Sequence, residues 1–138
     1  MTRILVGVDG SPAAVAALDW AVDHAEDDDT VVLCHVWSLP VVAGFESPML
    51  EPGPFKDAAE KLVAEMAAPY IDLEGGPTIE TGVSYGHAGS VLIDLSSDAD
   101  MVVVGSRGHG GFKGLLLGSV STYVVHHARC PVTVVPAH

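Results

Sequence analysis

Residues 101–121 read MVVVGSRGHGGFKGLLLGSVS. Met101 to Val104 is a run of four apolar residues, too short for a helix and rich in β-branched valine, so it reads as a strand. It shows no polar alternation, which places apolar residues on both faces, as in a parallel sheet covered by helices on both sides. Glycine-rich sequence follows to Gly118, with six glycines among the fourteen residues that begin at Gly105. A helix then opens near Ser119 and runs to His127. Strand, glycine loop and helix in that order make one half of an α/β unit.

The same alternation extends in both directions. Ile4 to Val8 is a short buried strand ending in Asp9-Gly10-Ser11-Pro12. Ser11 there suits a helix N-cap and Pro12 the first helical position. Ala14, Val15, Leu18, Ala21, Val22 and Ala25 recur at helical spacing and predict the inward face of that helix. Thr30 to Val36 (TVVLCHV) is a second strand. Trp37 to Gly53 shows no periodicity and carries Pro40, Pro48 and Pro52, so it reads as a long loop. A second helix is expected from Pro54, with Ala58, Leu62 and Met66 and the parallel row Ala59, Val63 and Ala67 facing inward. Thr78 to Ser84 alternates as a third strand. A third helix over 87–97 presents Ala88, Val91, Leu92 and Leu95. Pro131 introduces a last strand, Val132 to Val135.

The result is β-α-β-α-β-α-β-α-β over residues 1–138, with neither an internal repeat nor a domain boundary. Right-handed crossovers then predict a single doubly wound open parallel sheet of five strands, order 3-2-1-4-5, with helices on both faces. In that order the winding reverses between strands 1 and 4. Ligands of such sheets bind outside the carboxyl ends of the strands at the reversal, here at Asp9 and Gly105. Cys34 and Cys130 fall on or beside strands 2 and 5, about 14 Å apart at three strand spacings. A disulfide needs Cα atoms within about 7 Å, so both thiols are expected free, as in a reducing cytoplasmic compartment. The amino terminus shows no basic stretch followed by an apolar segment, so a secretory leader is not expected.

Charge points to the same end of the sheet. The formal net charge is −12, which argues against nucleic acid or an anionic membrane as partner. All 18 Asp and Glu residues lie at or before Asp100. The acid-free remainder contains Arg107, Lys113, Arg129 and four histidines. Such a stretch is suited to face an anion, although strand and buried helix are also poor in charge. The glycines allow backbone N–H groups to approach an anion without an intervening Cβ. The helix opening at Gly118-Ser119 adds free N–H groups and the positive end of its dipole, with Ser119 and Ser121 supplying hydroxyls. These features describe a phosphate cradle, but neither a Walker A loop nor a Rossmann fingerprint is present.

The spacing Gly105-x2-Gly108-x9-Gly118-Ser119 resembles the G-2x-G-9x-G-(S/T) signature of the ATP-binding universal stress proteins. Ile-Leu-Val-Gly-Val-Asp-Gly-Ser at the start, Leu-Cys-His-Val-Trp in strand 2, Ala-Asp-Met-Val-Val-Val-Gly-Ser-Arg-Gly around strand 4 and Cys-Pro-Val-Thr-Val-Val-Pro at the end are similar to that family as well. The resemblance implies an ATP-binding stress-response protein, with Mg or Mn held by the phosphates. It implies that Asp9 holds the ribose, although an acid at a helix start is an alternative role for it. The backbone of Val36 would read the adenine edge, with Gly7 and Val8 lining the floor. Val104 and Gly105 would lie against the sugar, Gly108 and Gly118 against phosphates, and Ser119, Val120 and Ser121 at the helix start. Arg107, His109 and Lys113 would either neutralise phosphate or sit on a solvated loop face. A homodimer through Val132, Thr133, Val134 and Val135, paired antiparallel, is also implied.

A zinc site is disfavoured. His126 and His127 are adjacent on a helix, and Cys34 and His35 on a strand, so neither pair shares a face. Three functions remain to be weighed: a nucleotide-dependent switch or adaptor, a slow ATPase or autophosphorylating phosphotransfer enzyme using the same pocket, and a nucleotide-free structural dimer. The intact glycine spacing favours the first two.

Overall fold

A computed structural model describes residues 1–39, 41–42, 45–46, 51–71, 73–107 and 117–137. In chain order the elements are β1 (Arg3–Gly7), α1 (Pro12–His24), β2 (Thr30–Trp37), β3 (Val41–Val42), β4 (Phe45–Glu46), α2 (Pro52–Ile71), β5 (Thr78–Tyr85), α3 (Ala88–Ser96), β6 (Met101–Gly105), α4 (Ser119–His127) and β7 (Val132–Val135). Five of these strands form one sheet in the order β5-β2-β1-β6-β7, every pairing parallel. That is the doubly wound order expected from the sequence.

Alternation along β1 shows why both faces need helices. Ile4 and Val6 point into a core that includes Leu18 of α1, Val63 and Ala67 of α2, Val31, Leu33 and Val103. Leu5 points the other way, into a core with Cys34, Leu92 of α3, Val102, Val104 and Val124 of α4. Burying each such side chain is worth about 1.5–3 kcal/mol, and neither face supplies a stable core alone. Among the described residues no helix is long and apolar enough to cross a membrane.

Several expectations need correction. On α1 the buried residues are Ala13, Ala14, Ala17, Leu18 and Ala21, whereas Val15 is 44% exposed. Small alanines let this helix lie close on the sheet, and the larger Val15 is left on its flank. On α2 the row Ala59, Val63 and Ala67 is buried, Leu62 and Met66 form its rim, and Ala58, expected to face inward, is exposed. Leu95 of α3 stays 38% exposed. The stretch after strand 2 is not wholly loop. Trp37 completes β2, pairs with Tyr85 and packs edge-on to its ring at 5.0 Å. Val41–Val42 and Phe45–Glu46 pair antiparallel. Helix α2 opens at Pro52, two residues earlier than expected, because prolines in a first turn forfeit no intrahelical hydrogen bond. The two cysteines are free, as expected.

Candidate functional site

Strand β1 ends against two consecutive residues of β2. The Val8 N–H donates to the Cys34 carbonyl at 2.9 Å, and the Val8 carbonyl meets Nδ1 of His35 at 2.8 Å. The chain then turns through Asp9, whose carboxylate accepts the Ser11 N–H at 2.9 Å. Gly10 supplies a φ of +80° in that turn, a conformation costly for residues with a Cβ. Ser11 caps α1 by accepting the Ala14 N–H at 3.2 Å.

Strand β6 ends beside it, past Val104 and Gly105. A Cβ on Gly105 would lie 2.7 Å from the Ala13 backbone, so this glycine is required by the close passage of α1 as well as by any ligand. The next residue anchors both ends of the glycine loop. The Ser106 N–H donates to the Val135 carbonyl at 2.8 Å. The Ser106 carbonyl accepts from the Gly118 N–H at 2.6 Å and the Ser121 hydroxyl at 2.9 Å. The chain that leaves β6 is thereby brought back so that α4 starts at the carboxyl end of the same strand. Gly118 is the N-cap of α4 and, having no side chain, makes no side-chain cap bond to the first turn. The N–H groups of Ser119, Val120 and Ser121 belong to the first turn, where no carbonyl four residues back lies within the helix.

Between these ends lies a cleft of about 170 Å³. A bound water needs only about 10–15 Å³ of such space, so the cleft is sized for an organic ligand. Gly7, Val8, Asp9 and Val36 line one side; Val104, Gly105, Gly118, Ser119, Val120 and Ser121 line the other. Ten of the eleven residues singled out from the sequence therefore meet at one place. The eleventh, Gly108, lies outside the described residues, as do His109 and Lys113. Arg107 is described and belongs to the wall.

Sequence reasoning missed several neighbours. Cys34 lines the cleft with Val36, and the two-residue strand period was the signal that could have found it. Ala88 and Leu92 enter from α3, and only the tertiary packing reveals them. Burial pushes the Cys34 thiol up to about 11, against a hydrogen bond to Ser84 that lowers it. It is neutral at physiological pH and a poor nucleophile. The hydroxyl of Ser121 is committed to the Ser106 carbonyl, with Gly118 O also within 3.1 Å, so its contribution to the wall is its backbone. Among the described lining residues only Asp9 and Arg107 carry charge. No group of three or more His, Cys, Asp or Glu suited to a metal occurs among the described residues.

Fold and cleft define a class: a doubly wound parallel α/β domain whose binding cleft sits at the reversal of winding, with a helix N-terminus aimed into it. The chain belongs to the universal stress protein family, whose model matches residues 1–136. It is 36% identical over 143 residues to the universal stress protein Rv2623 of Mycobacterium tuberculosis H37Rv, covering 96% of this chain and 46% of that protein. The chain thus spans about half the length of the curated relatives it matches. The solved universal stress protein UspA from Lactobacillus plantarum superposes with a TM-score of 0.75 at 28% identity, over 97% of each chain. A family member from Arabidopsis thaliana solved with AMP bound gives a TM-score of 0.70 at 23% identity, over 100% of this chain and 93% of that one. A universal stress protein solved in complex with cAMP gives 0.69 at 23% identity, over 99% and 98%. The last two demonstrate likeness of fold.

Proposed function

We propose that this chain binds ATP in the cleft and acts as a nucleotide-dependent switch or adaptor in the cytoplasmic stress response, as a homodimer joined through β7. The observation that carries the reading is the convergence of an apolar floor, one carboxylate and an uncapped helix start in a single cleft. Cys34, Val36 and Leu92 offer an uncharged, largely apolar surface to a base. Asp9 is an acceptor for ribose hydroxyls. The α4 N-terminus and Arg107 attract the phosphates. The AMP and cAMP in the related structures are adenine nucleotides, the ligand class this arrangement suits. A divalent cation such as Mg or Mn would be held chiefly by phosphate oxygens and water, since the lining contributes one carboxylate.

Titration calorimetry with ATP and GTP tests this. The wild type should bind ATP in preference to GTP, because the backbone at Val36 reads the base edge. Gly118→Val should weaken ATP binding by branching a side chain into the phosphate path. Equal ATP affinity in both proteins would sink the assignment.

A further inference from the structure

We propose that His35, which does not line the cleft, is a positioning residue for it, setting the direction in which Asp9 leaves β1. The proposal rests on the nucleotide reading of the cleft. Cys34 and Val36 line the cleft; His35, between them on β2, faces the opposite side of the sheet. Its ring nevertheless reaches the first residue past β1, with Nδ1 2.8 Å from the Val8 carbonyl oxygen. A carbonyl oxygen carries no proton, so Nδ1 is the protonated nitrogen and His35 is the donor. Combined with the Val8 N–H to Cys34 carbonyl bond, this clamps both backbone polar groups of Val8 onto β2.

The geometry matters because the Val8 carbonyl belongs to the peptide plane joining Val8 to Asp9. Holding that oxygen fixes the plane, and the plane fixes where the Asp9 Cα and carboxylate emerge. Val8 is 5% exposed, and a buried carbonyl deprived of its donor will rotate toward another. Rotation there would carry Asp9 away from the position its Ser11 N–H contact now defines.

The test separates the hydrogen bond from packing. His35→Phe keeps a planar ring and removes the donor. His35→Asn places an amide N–H near the position of Nδ1. In ligand-free protein, amide exchange over residues 9–11 should quicken in His35→Phe and stay near wild type in His35→Asn. ATP affinity should fall about tenfold in His35→Phe, equivalent to about 1.4 kcal/mol, and recover in His35→Asn. If His35→Phe fails to fold, as judged by circular dichroism, His35→Leu is read in its place. Wild-type exchange and affinity in the donor-free variant would overturn the proposal. So would equal losses in Phe and Asn, which would make His35 a packing residue. If the wild type binds no nucleotide the functional reading fails, and the exchange measurement alone then decides the role of His35.

Discussion

The Asp29 carboxylate accepts the backbone N–H groups of Glu26 and Thr2, each at 2.8 Å, and Thr30 donates back to the Thr2 carbonyl. One side chain therefore ties the start of β1 to the start of β2. Those hydrogen bonds, the Glu26 N–H first and the Thr2 N–H second, hold its pKa below the ordinary aspartate value of 3.8. Because the folded value lies below the unfolded one, the contribution is fully present above about pH 4 and disappears as pH falls through the folded value. Urea unfolding of wild type and Asp29→Asn should show the variant less stable at neutral pH, with the gap closing toward pH 2. A gap that persists at pH 2 would show that the carboxylate charge is not the origin. Nothing in the sequence around Asp29 marks it out from its acidic neighbours Asp27 and Asp28, because its role depends on Thr2 arriving beside it. Asp9, Gly105 and Gly118 are different: their residue types at those spacings suffice to bring them into view. The commitment of the Ser121 hydroxyl to Ser106 was not legible, since the partners lie fifteen positions apart in the chain.

At the scale of elements, periodicity locates every strand of the main sheet and every helix, but it does not choose among adjacent apolar rows on a helix. Val15 and Leu95 have the spacing of core residues, and the small contact surface required by a close helix–sheet approach leaves them outside. The short β3–β4 pairing was hidden because two-residue strands are too short to display a period. The element with most to say about function is the turn from β6 to α4. Its described ends bring Gly105, Gly118 and the N–H groups of Ser119, Val120 and Ser121 to the cleft, and residues 101–138 contain no Asp or Glu. Fast phosphoryl transfer needs an oriented nucleophile and usually an acid to hold the metal or position the water. Asp9 accepts the Ser11 N–H and is the proposed holder of the ribose. On the reading proposed above, this segment would hold a triphosphate without supplying an acid to fix a metal or orient water, and slow turnover is expected. Steady-state phosphate release should give turnover far below about 10 s⁻¹, the median for enzymes. A rate near that figure, abolished by Asp9→Ala, would establish the ATPase reading instead.

Over the whole molecule, polarity runs along the strands. Asp29 and Asp100 bind backbone N–H groups at the amino ends, where β1 and β2 begin, and the cleft opens at the carboxyl ends beside the acid-free stretch. This separation is what made the site readable from charge and topology together. The two outer strands of the sheet are also unlike one another. β5 carries Glu80, which pairs with Arg3 across β2 at 3.4 Å, and a charge on an edge discourages pairing with another sheet. β7 has no charged residue in Val132–Val135. The Pro131 and Val135 carbonyls accept from Val102 and Ser106 on the β6 side, so the intervening even positions, Val132 and Val134, turn their backbone N–H and C=O groups outward. Those groups offer a second copy a short ladder, and the half-buried valines offer it an apolar rim. Light scattering should therefore report about twice the 14.3 kDa chain mass. Val134→Lys sets like charges together across such a pairing, and Val134→Pro deletes an outward N–H while sparing the bonds to β6. Both should yield folded monomers by circular dichroism. A wild-type monomer at micromolar concentration, or dimers that survive both substitutions, would place any association elsewhere on the surface.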